Sequence, residues 1–459
     1  MDPKRKKKIP SNILHENLQV VGNTGSGKTH HVLKPLMYQT IQQKLGLFVL
    51  DVKSNMVRDI VFYADKCSRR NHFNYLDLGR PDLSMSCNPL AGGSAHEIAS
   101  RVFTALYYDT TNVEPHYVQI ADGFLQDLIF LMKKEIPVIT FQDLATAVGE
   151  TDTFRTIAAL CAKYSETQQA KNFQPWFRKS PQQRQDELAG LILKLRRFCN
   201  REWSPLINSK NPNFTMKSVI DRNEIFLLGL ASAKYPDDAK PLAILFMMAL
   251  QSEVGERYMN PPEKPFRVVL DEFYNLSYPG FIDLVNKCRD ARVNLVLAHQ
   301  SNGDLSGVSQ EFKEQVINNT NNKVILRLSD PATAEYFSSL IGTEVFRKQG
   351  STSYDAGGTE RGHSDRDARK FRIHPDEIKD LPVGQAIVRL CHKEKVECFK
   401  TALGTAPQPP ADFELGLTHT PLRGRENHTS LEGILKDEPP KGRKKGLDLG
   451  LKFGEGDNA

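Results

Sequence analysis

The chain has 459 residues, a net charge of +6, and ordinary shares of apolar (39%) and charged (25%) residues. Those values fit a globular protein with one large core or two to three domains, and the mild basicity permits nucleic-acid or membrane-surface contact without demanding it. No stretch approaches the ~20 apolar residues that a membrane-spanning helix needs. The seven cysteines include no Cys-x-x-Cys pair, which argues against a disulfide frame or zinc ribbon and fits a reducing cytoplasm.

Residues 1–16 form a basic lead-in. Its run Lys4-Arg5-Lys6-Lys7-Lys8 suits either an anionic lipid surface or a solvated tail, and no hydrophobic segment follows it as a signal peptide requires. The apolar stretch around Leu18, Val20 and Val21 reads as a strand. It runs into Gly22-Asn23-Thr24-Gly25-Ser26-Gly27-Lys28-Thr29, which fits the phosphate-binding pattern G-x-x-x-x-G-K-[ST]. Glycines let the backbone turn its N–H groups toward the phosphates. Lys28 is placed to reach the β/γ-phosphates, the Thr29 hydroxyl to ligate Mg²⁺, and a helix beginning near Lys28 to add its positive dipole end.

Phe48–Lys53 reads as a second buried strand ending in charge, with Asp51 and Lys53 at its tip. Phe73–Leu78 reads as a third, followed by Cys87-Asn88-Pro89-Leu90. Alternating strands and helices over 17–110 imply a parallel sheet with helices on both faces and a ligand at the C-terminal strand ends. Over 111–215 helical periodicity takes over. Phe124, Leu125, Leu128, Ile129 and Met132 form one apolar stripe, and Leu188, Leu191, Ile192, Leu195 and Phe198 form another. From Cys161 to Glu202 nine Lys/Arg face four Asp/Glu, a local net of +5. Arg178, Lys179, Arg196 and Arg197 lie beside Trp176, Phe177 and Phe198. That mixture suits single-stranded nucleic acid, and equally a helical domain with a solvated basic face.

Alternation returns over 216–403. Glu224–Leu230 reads as a strand and Pro241–Glu253 as an apolar helix. The strand from Phe266 to Leu270 ends in Asp271-Glu272, the acidic pair a phosphate-binding loop expects: Asp271 to hold Mg²⁺ and Glu272 to polarise the attacking water. The strand over 294–299 ends in Gln300-Ser301, with Gln300 placed to sense the γ-phosphate. Lys323–Leu328 is a further strand, residues 347–370 a polar flexible loop, and Ala386–Leu390 and Val396–Leu403 closing strands. His392 between Cys391 and Cys398 reads as an incidental strand end rather than a metal site. From about 404 the composition is that of a disordered tail, whose short apolar motif is Leu431–Leu435.

In this order the pieces resemble the coupling proteins of type IV secretion systems, RecA-like ATPases of the wider FtsK/HerA translocase class. The resemblance runs from about His15 to Leu403. It rests on Gly22–Thr29, Leu50–Ser54, Cys87–Leu90, Leu270-Asp271-Glu272-Phe273, Cys288-Arg289 leading to Gln300-Ser301, Pro375–Ile378 and Leu381–Gly384. It implies a RecA-like P-loop NTPase: an α/β fold with a parallel-rich central sheet flanked by helices (17–110 plus 216–403) and an inserted all-α domain (111–215) implicated in substrate recognition. It further implies ATP and Mg²⁺ as ligands, a homohexameric ring, and Arg289 as an arginine finger offered to a neighbour's nucleotide.

The implied function is ATP hydrolysis driving DNA, from a relaxosome, or a DNA–protein complex into a secretion channel at the inner membrane. Relatives usually begin with transmembrane helices, so either a separate anchor protein recruits this chain or an anchor has been removed. Val52 and Ser54 replace the family's usual Pro and Gly. Two other readings stay open: a DNA translocase outside secretion, and a nucleotide-switched adaptor that recruits effector proteins through its tail.

Overall fold

The computed structural model describes residues 16–110, 113–199, 201–273, 278, 280–348, 366–392 and 395–417. Most of the basic lead-in, the centre of the 347–370 stretch and the tail with Leu431–Leu435 lie outside them. In chain order the elements are β1 (Leu18–Val21), α1 (Lys34–Gln42), β2 (Gly46–Asp51), α2 (Val57–Lys66) and β3 (Phe73–Asp77). A helical run follows: α3 (Ala95–Leu106), α4 (Pro115–Lys133), α5 (Phe141–Gly149), α6 (Arg155–Lys163), α7 (Gln168–Asn172), α8 (Gln174–Arg178), α9 (Pro181–Arg197), α10 (Ser204–Ile207) and α11 (Met216–Asp221). Then come β4 (Ile225–Gly229), α12 (Pro236–Met259), β5 (Phe266–Leu270), α13 (Phe281–Lys287), β6 (Val293–His299), α14 (Asn302–Ser306), α15 (Gln310–Asn319), β7 (Asn322–Ile325) and α16 (Pro331–Ile341). The chain closes with β8 (Thr343–Lys348), β9 (Arg366–Phe371), α17 (Pro375–Lys379), β10 (Gln385–His392) and β11 (Lys395–Ala402).

These divide into two compact units. The first takes the described parts of Met1–Leu50, Met56–Asn71 and Arg257–Phe413; the second those of Asp51–Asn55, His72–Glu256 and Glu414–Ala459. In the first, strands follow the order β11-β10-β7-β1-β6-β5-β2. From β7 to β2 every pairing is parallel, and β10 and β11 close the edge antiparallel. β2, β5 and β6 are buried at every position. That explains their near-continuous apolar sequences: a parallel strand covered on both faces has no solvent side to alternate with. Val21, Ile325, Phe337, Ile378, Leu381 and Ile387 form one core cluster beside the end of β1. The Pro375–Ile378 and Leu381–Gly384 motifs thus contribute Ile378 and Leu381 to that core.

In the second unit β3 and β4 pair in parallel, and the helices of 111–215 bury the stripes expected of them: Phe124, Leu125, Leu128, Ile129 and Met132 on α4, and Leu188, Leu191, Ile192 and Leu195 on α9. The starts of α3, α5 and α9 are written in the sequence. Ser94 with Glu97, Thr140 with Asp143 and Ser180 with Gln183 form reciprocal capping boxes at α3, α5 and α9, and Pro181 occupies the first turn of α9. The expected helical boundaries at 111 and 215 fall inside this larger unit.

Two expectations need correction. The stretch read as a loop is bounded by paired strands: Arg347 and Lys348 end β8, and Arg366–Lys370 belong to β9. The strand expected over Lys323–Leu328 leaves the ladder after Ile325. Beyond that point Leu326 N donates to Val21 O at 2.9 Å and Asn23 N donates to Arg327 O at 2.9 Å, so the chain turns aside to brace the loop after β1.

Candidate active site

β1, β5 and β6 end at one edge of the first unit's sheet, since Val21 pairs with His299 and Leu270 with Leu297 in parallel register. The Gly22–Thr29 loop, the Asp271-Glu272 pair and Gln300 follow directly. Gly25 and Gly27 hold φ of 76° and 96°, a region that side chains disfavour. At Gly22 a Cβ would lie 2.6 Å from Ser26 Oγ and 2.9 Å from Leu326 Cβ, so the first glycine is required by close approach. The helix after the loop opens with a π-helical stretch, Lys28–Leu33, before α1 begins. The His31 ring fills the space beside Gly27, where a Cβ would meet His31 Cδ2 at 2.7 Å. Val383 and Gly384, from the Leu381–Gly384 motif, pack around the same turn.

Lys28 is buried, and its Nζ donates to Gly22 O at 2.5 Å and Asn23 O at 3.2 Å, folded back over its own loop. Thr29 Oγ1 donates to Asp271 Oδ2 at 3.0 Å, joining the two residues expected to share a metal ion. Thr24 Oγ1 donates to Gln300 Oε1 at 3.1 Å, tying the loop to the residue that follows β6. Asn23 Nδ2 bonds Ser329 Oγ. Ser26 Oγ is buried and makes no hydrogen bond among the described residues, a polar atom aimed into a loop built for an acceptor-rich ligand. Glu272 adopts φ 53°, the left-handed region, and a non-glycine residue held there marks local strain of the kind that clusters at functional sites. The donor set therefore fits a magnesium nucleotide: amide-rich loop, ammonium, hydroxyl and carboxylate in one place.

Arg289 is not part of this cluster. It lies between α13 and the start of β6, exposed, with Nη2 3.5 Å from Glu16 Oε1. Seven residues of β6 separate that end from Gln300, about 23 Å at strand rise. Asp51 is buried and accepts from Lys53 N at 3.2 Å. Of the four expected DNA-contacting cations, Lys179 pairs with Glu187, and Arg197 pairs with buried Asp238 at 2.5 Å. Arg178 and Arg196 are exposed.

One feature of the site is absent from the sequence reading. Gln19, His299 and Lys323, on β1, β6 and β7, are all buried. Lys323 Nζ donates to Gln19 Oε1 at 2.6 Å, Gln19 Nε2 lies 2.7 Å from His299 Nε2, and His299 Nδ1 lies 2.8 Å from Ser301 O. A carbonyl only accepts, so Nδ1 carries the proton, Nε2 accepts, and the amide of Gln19 donates. Burial pushes His299 down to about 4, which keeps the ring neutral and the chain directional. Burial first, and nearby Arg389 second, push Lys323 down to about 7. The relay ends on the backbone beside Gln300. A Gln, a His and a Lys in three separate strands carry no joint spacing signal, so only the sheet order reveals it.

No helix among the described residues is long and apolar enough to cross a membrane. A search of curated protein sequences returned no match. Residues 265–383 match the family model described as the TraM recognition site of TraD and TraG. In fold the chain is similar to the unbound bacterial conjugative coupling protein TrwBdeltaN70, with TM-score 0.63 and 16% identity over 87% of this chain and 88% of that one. It is similar to the plasmid coupling protein TrwB in complex with ADP and Mg²⁺, with TM-score 0.57 and 16% identity over 88% and 91%. It is similar also to VirB4 of Thermoanaerobacter pseudethanolicus, with TM-score 0.50 and 13% identity over 85% and 90%. The chain thus resembles the type IV secretion coupling proteins, in sequence over residues 265–383 and in its RecA-like fold.

Proposed function

We propose that this chain is an ATP-hydrolysing coupling protein that recruits DNA, or a DNA–protein complex, and drives it into a type IV secretion channel. The observation that carries the reading is the 3.0 Å bond between Thr29 Oγ1 and Asp271 Oδ2, which brings the two proposed Mg²⁺ ligands together. When bound, Mg²⁺–ATP supplies the phosphoryl group that water attacks. Lys28 exchanges its loop carbonyls for the β/γ-phosphates, and the Gly22–Thr29 amides wrap the remaining oxygens. Glu272 orients the attacking water and receives its proton. Gln300, tethered to Thr24, reports the state of the γ-phosphate to β6.

Arg289 acts in trans, because its position at the far end of β6 puts it out of reach of its own loop. That role requires a ring, which we take to be a homohexamer with heterologous interfaces. Arg178 and Arg196 are the exposed cations assigned to DNA. The helical block 111–215 is the substrate-recognition domain and 17–110 with 216–403 the motor. The match over 265–383 supports contact with a TraM-like protein of a relaxosome. Localisation is at the inner face of the membrane.

Glu272→Gln tests the chemistry. The variant should bind an ATP analogue within about twofold of wild type and lose turnover by 10²-fold or more, the scale expected for a water-positioning base. Unchanged hydrolysis removes Glu272 from this role.

A further inference from the structure

Within the second unit, α4, the α7–α8 segment and the start of α9 line an open cavity of ≈ 410 Å³ that the nucleotide site does not use. One wall is a face of α4 carrying Gly123, Phe124 and Asp127. Trp176, Lys179 and Glu187 complete it.

Two features of this cavity are unexplained by folding alone. Gly123 sits inside a 19-residue helix, where glycine is less favourable than alanine. Yet a Cβ at that position would meet no atom within 4 Å. No neighbour demands the glycine; its effect is to keep the cavity wall bare.

The second feature is charge. Glu187 pairs with Lys179, whose Nζ stands 4.1 Å from the centre of the Trp176 ring. Asp127 forms no ion pair among the described residues. Asn172 Nδ2 donates to both its oxygens at 3.1 Å but brings no charge. Lys179 is the one permanent cation set against Glu187 and Asp127, with His116 the remaining titratable lining residue, so the fixed charges of the wall fall one cation short. Burial raises the Asp127 carboxyl above its ordinary value, against the pull of Asn172, as expected of a carboxylate with no counter-charge.

A guanidinium or ammonium group meets both needs. It is drawn to an aromatic face and makes charge-assisted hydrogen bonds to a carboxylate. A nucleotide would also stack on Trp176, but its phosphate would enter a wall of net negative charge. An apolar ligand would bury Asp127 uncompensated. We propose that this cavity receives an arginine or lysine side chain presented by a partner polypeptide. The inference stands apart from the motor reading, since binding is measured without nucleotide.

The test is Trp176 fluorescence of the full chain at low salt, with Trp176→Phe as the blank. The probes are N-acetyl-Arg-Gly-Arg-amide, N-acetyl-Gln-Gly-Gln-amide and a ten-residue oligo-dT. The arginine peptide should change the emission saturably and the glutamine peptide should not. Asp127→Asn should weaken the arginine peptide about tenfold, the loss of one charge-assisted contact. Gly123→Leu should fill the cavity and abolish the response, while its thermal midpoint stays level or rises by roughly 2–4 °C because a helix former replaces glycine. Equal binding of the two peptides would overturn the proposal. So would an undiminished response in Gly123→Leu, or oligo-dT binding tighter than the arginine peptide and lost in that variant.

Discussion

Gln19→Leu tests whether the buried relay across β1, β6 and β7 is structural. Gln19 is fully buried in β1, a position where a pattern-based reading would welcome leucine. Its amide bridges Lys323 Nζ at 2.6 Å and His299 Nε2 at 2.7 Å. Leucine orphans the ring nitrogen, at about 1–3 kcal/mol, and removes one bond to Lys323, at about 1–3 kcal/mol, though Ile317 O and Thr320 O still accept from that amine. Added apolar burial returns about 1–2 kcal/mol. Taken at mid-range, the net is a destabilisation of about 2.5 kcal/mol, concentrated in the three strands. Hydrogen exchange read on peptides covering β1, β6 and β7 should therefore speed up by about two decades, at ~1.4 kcal/mol per decade. Lys323→Met combined with Gln19→Leu should cost less than the sum of the two, since they share a bond. Unchanged or slower exchange in Gln19→Leu would refute the reasoning and make Gln19 an ordinary core residue.

Four further outcomes follow from the same geometry. Gly27→Ala forces a side chain into φ 96° and against the His31 ring, so nucleotide binding measured by calorimetry should fall at least tenfold. Lys323 is pushed from 10.5 down to about 7 by burial. Between those values the unfolded chain holds the proton that the native chain lacks, so stability rises with pH at up to ~1.4 kcal/mol per unit and is level below about 7; comparing wild type with Lys323→Met between pH 7 and 8.5 should show that slope disappear. Arg197→Ala leaves buried Asp238 with only Arg201 at 3.5 Å, and chemical denaturation should show a loss of about 1–3 kcal/mol. Arg196→Ala should leave stability unchanged while lowering the salt slope of DNA binding by about one.

The gathering of the Gly22–Thr29 loop, Asp271 and Gln300 at one sheet edge was legible because it depends on short-range rules. A glycine loop after an apolar run, and acids or a glutamine ending later apolar runs, place themselves at strand ends without knowledge of the sheet order. The apolar stripes of α4 and α9 were legible for the same reason. The relay was not, because Gln19, His299 and Lys323 become neighbours only through the order β7-β1-β6, which no local pattern encodes. The pairing of Lys179 with Glu187 and of Arg197 with Asp238 was hidden likewise. A count of nine cations against four acids describes composition, and which cations remain exposed is decided by packing. The β8–β9 ladder was masked by its polar sequence, which reads as loop when no partner strand is in view.

The central claim is a nucleotide-driven motor assembled on DNA. Its most direct test is ATP turnover with and without single-stranded DNA, across a series of protein and salt concentrations. Turnover should rise with DNA, climb more than linearly with protein as the proposed trans role of Arg289 requires, and fall steeply with salt as phosphate contacts are lost. Turnover that is flat in protein concentration and indifferent to DNA would contradict it.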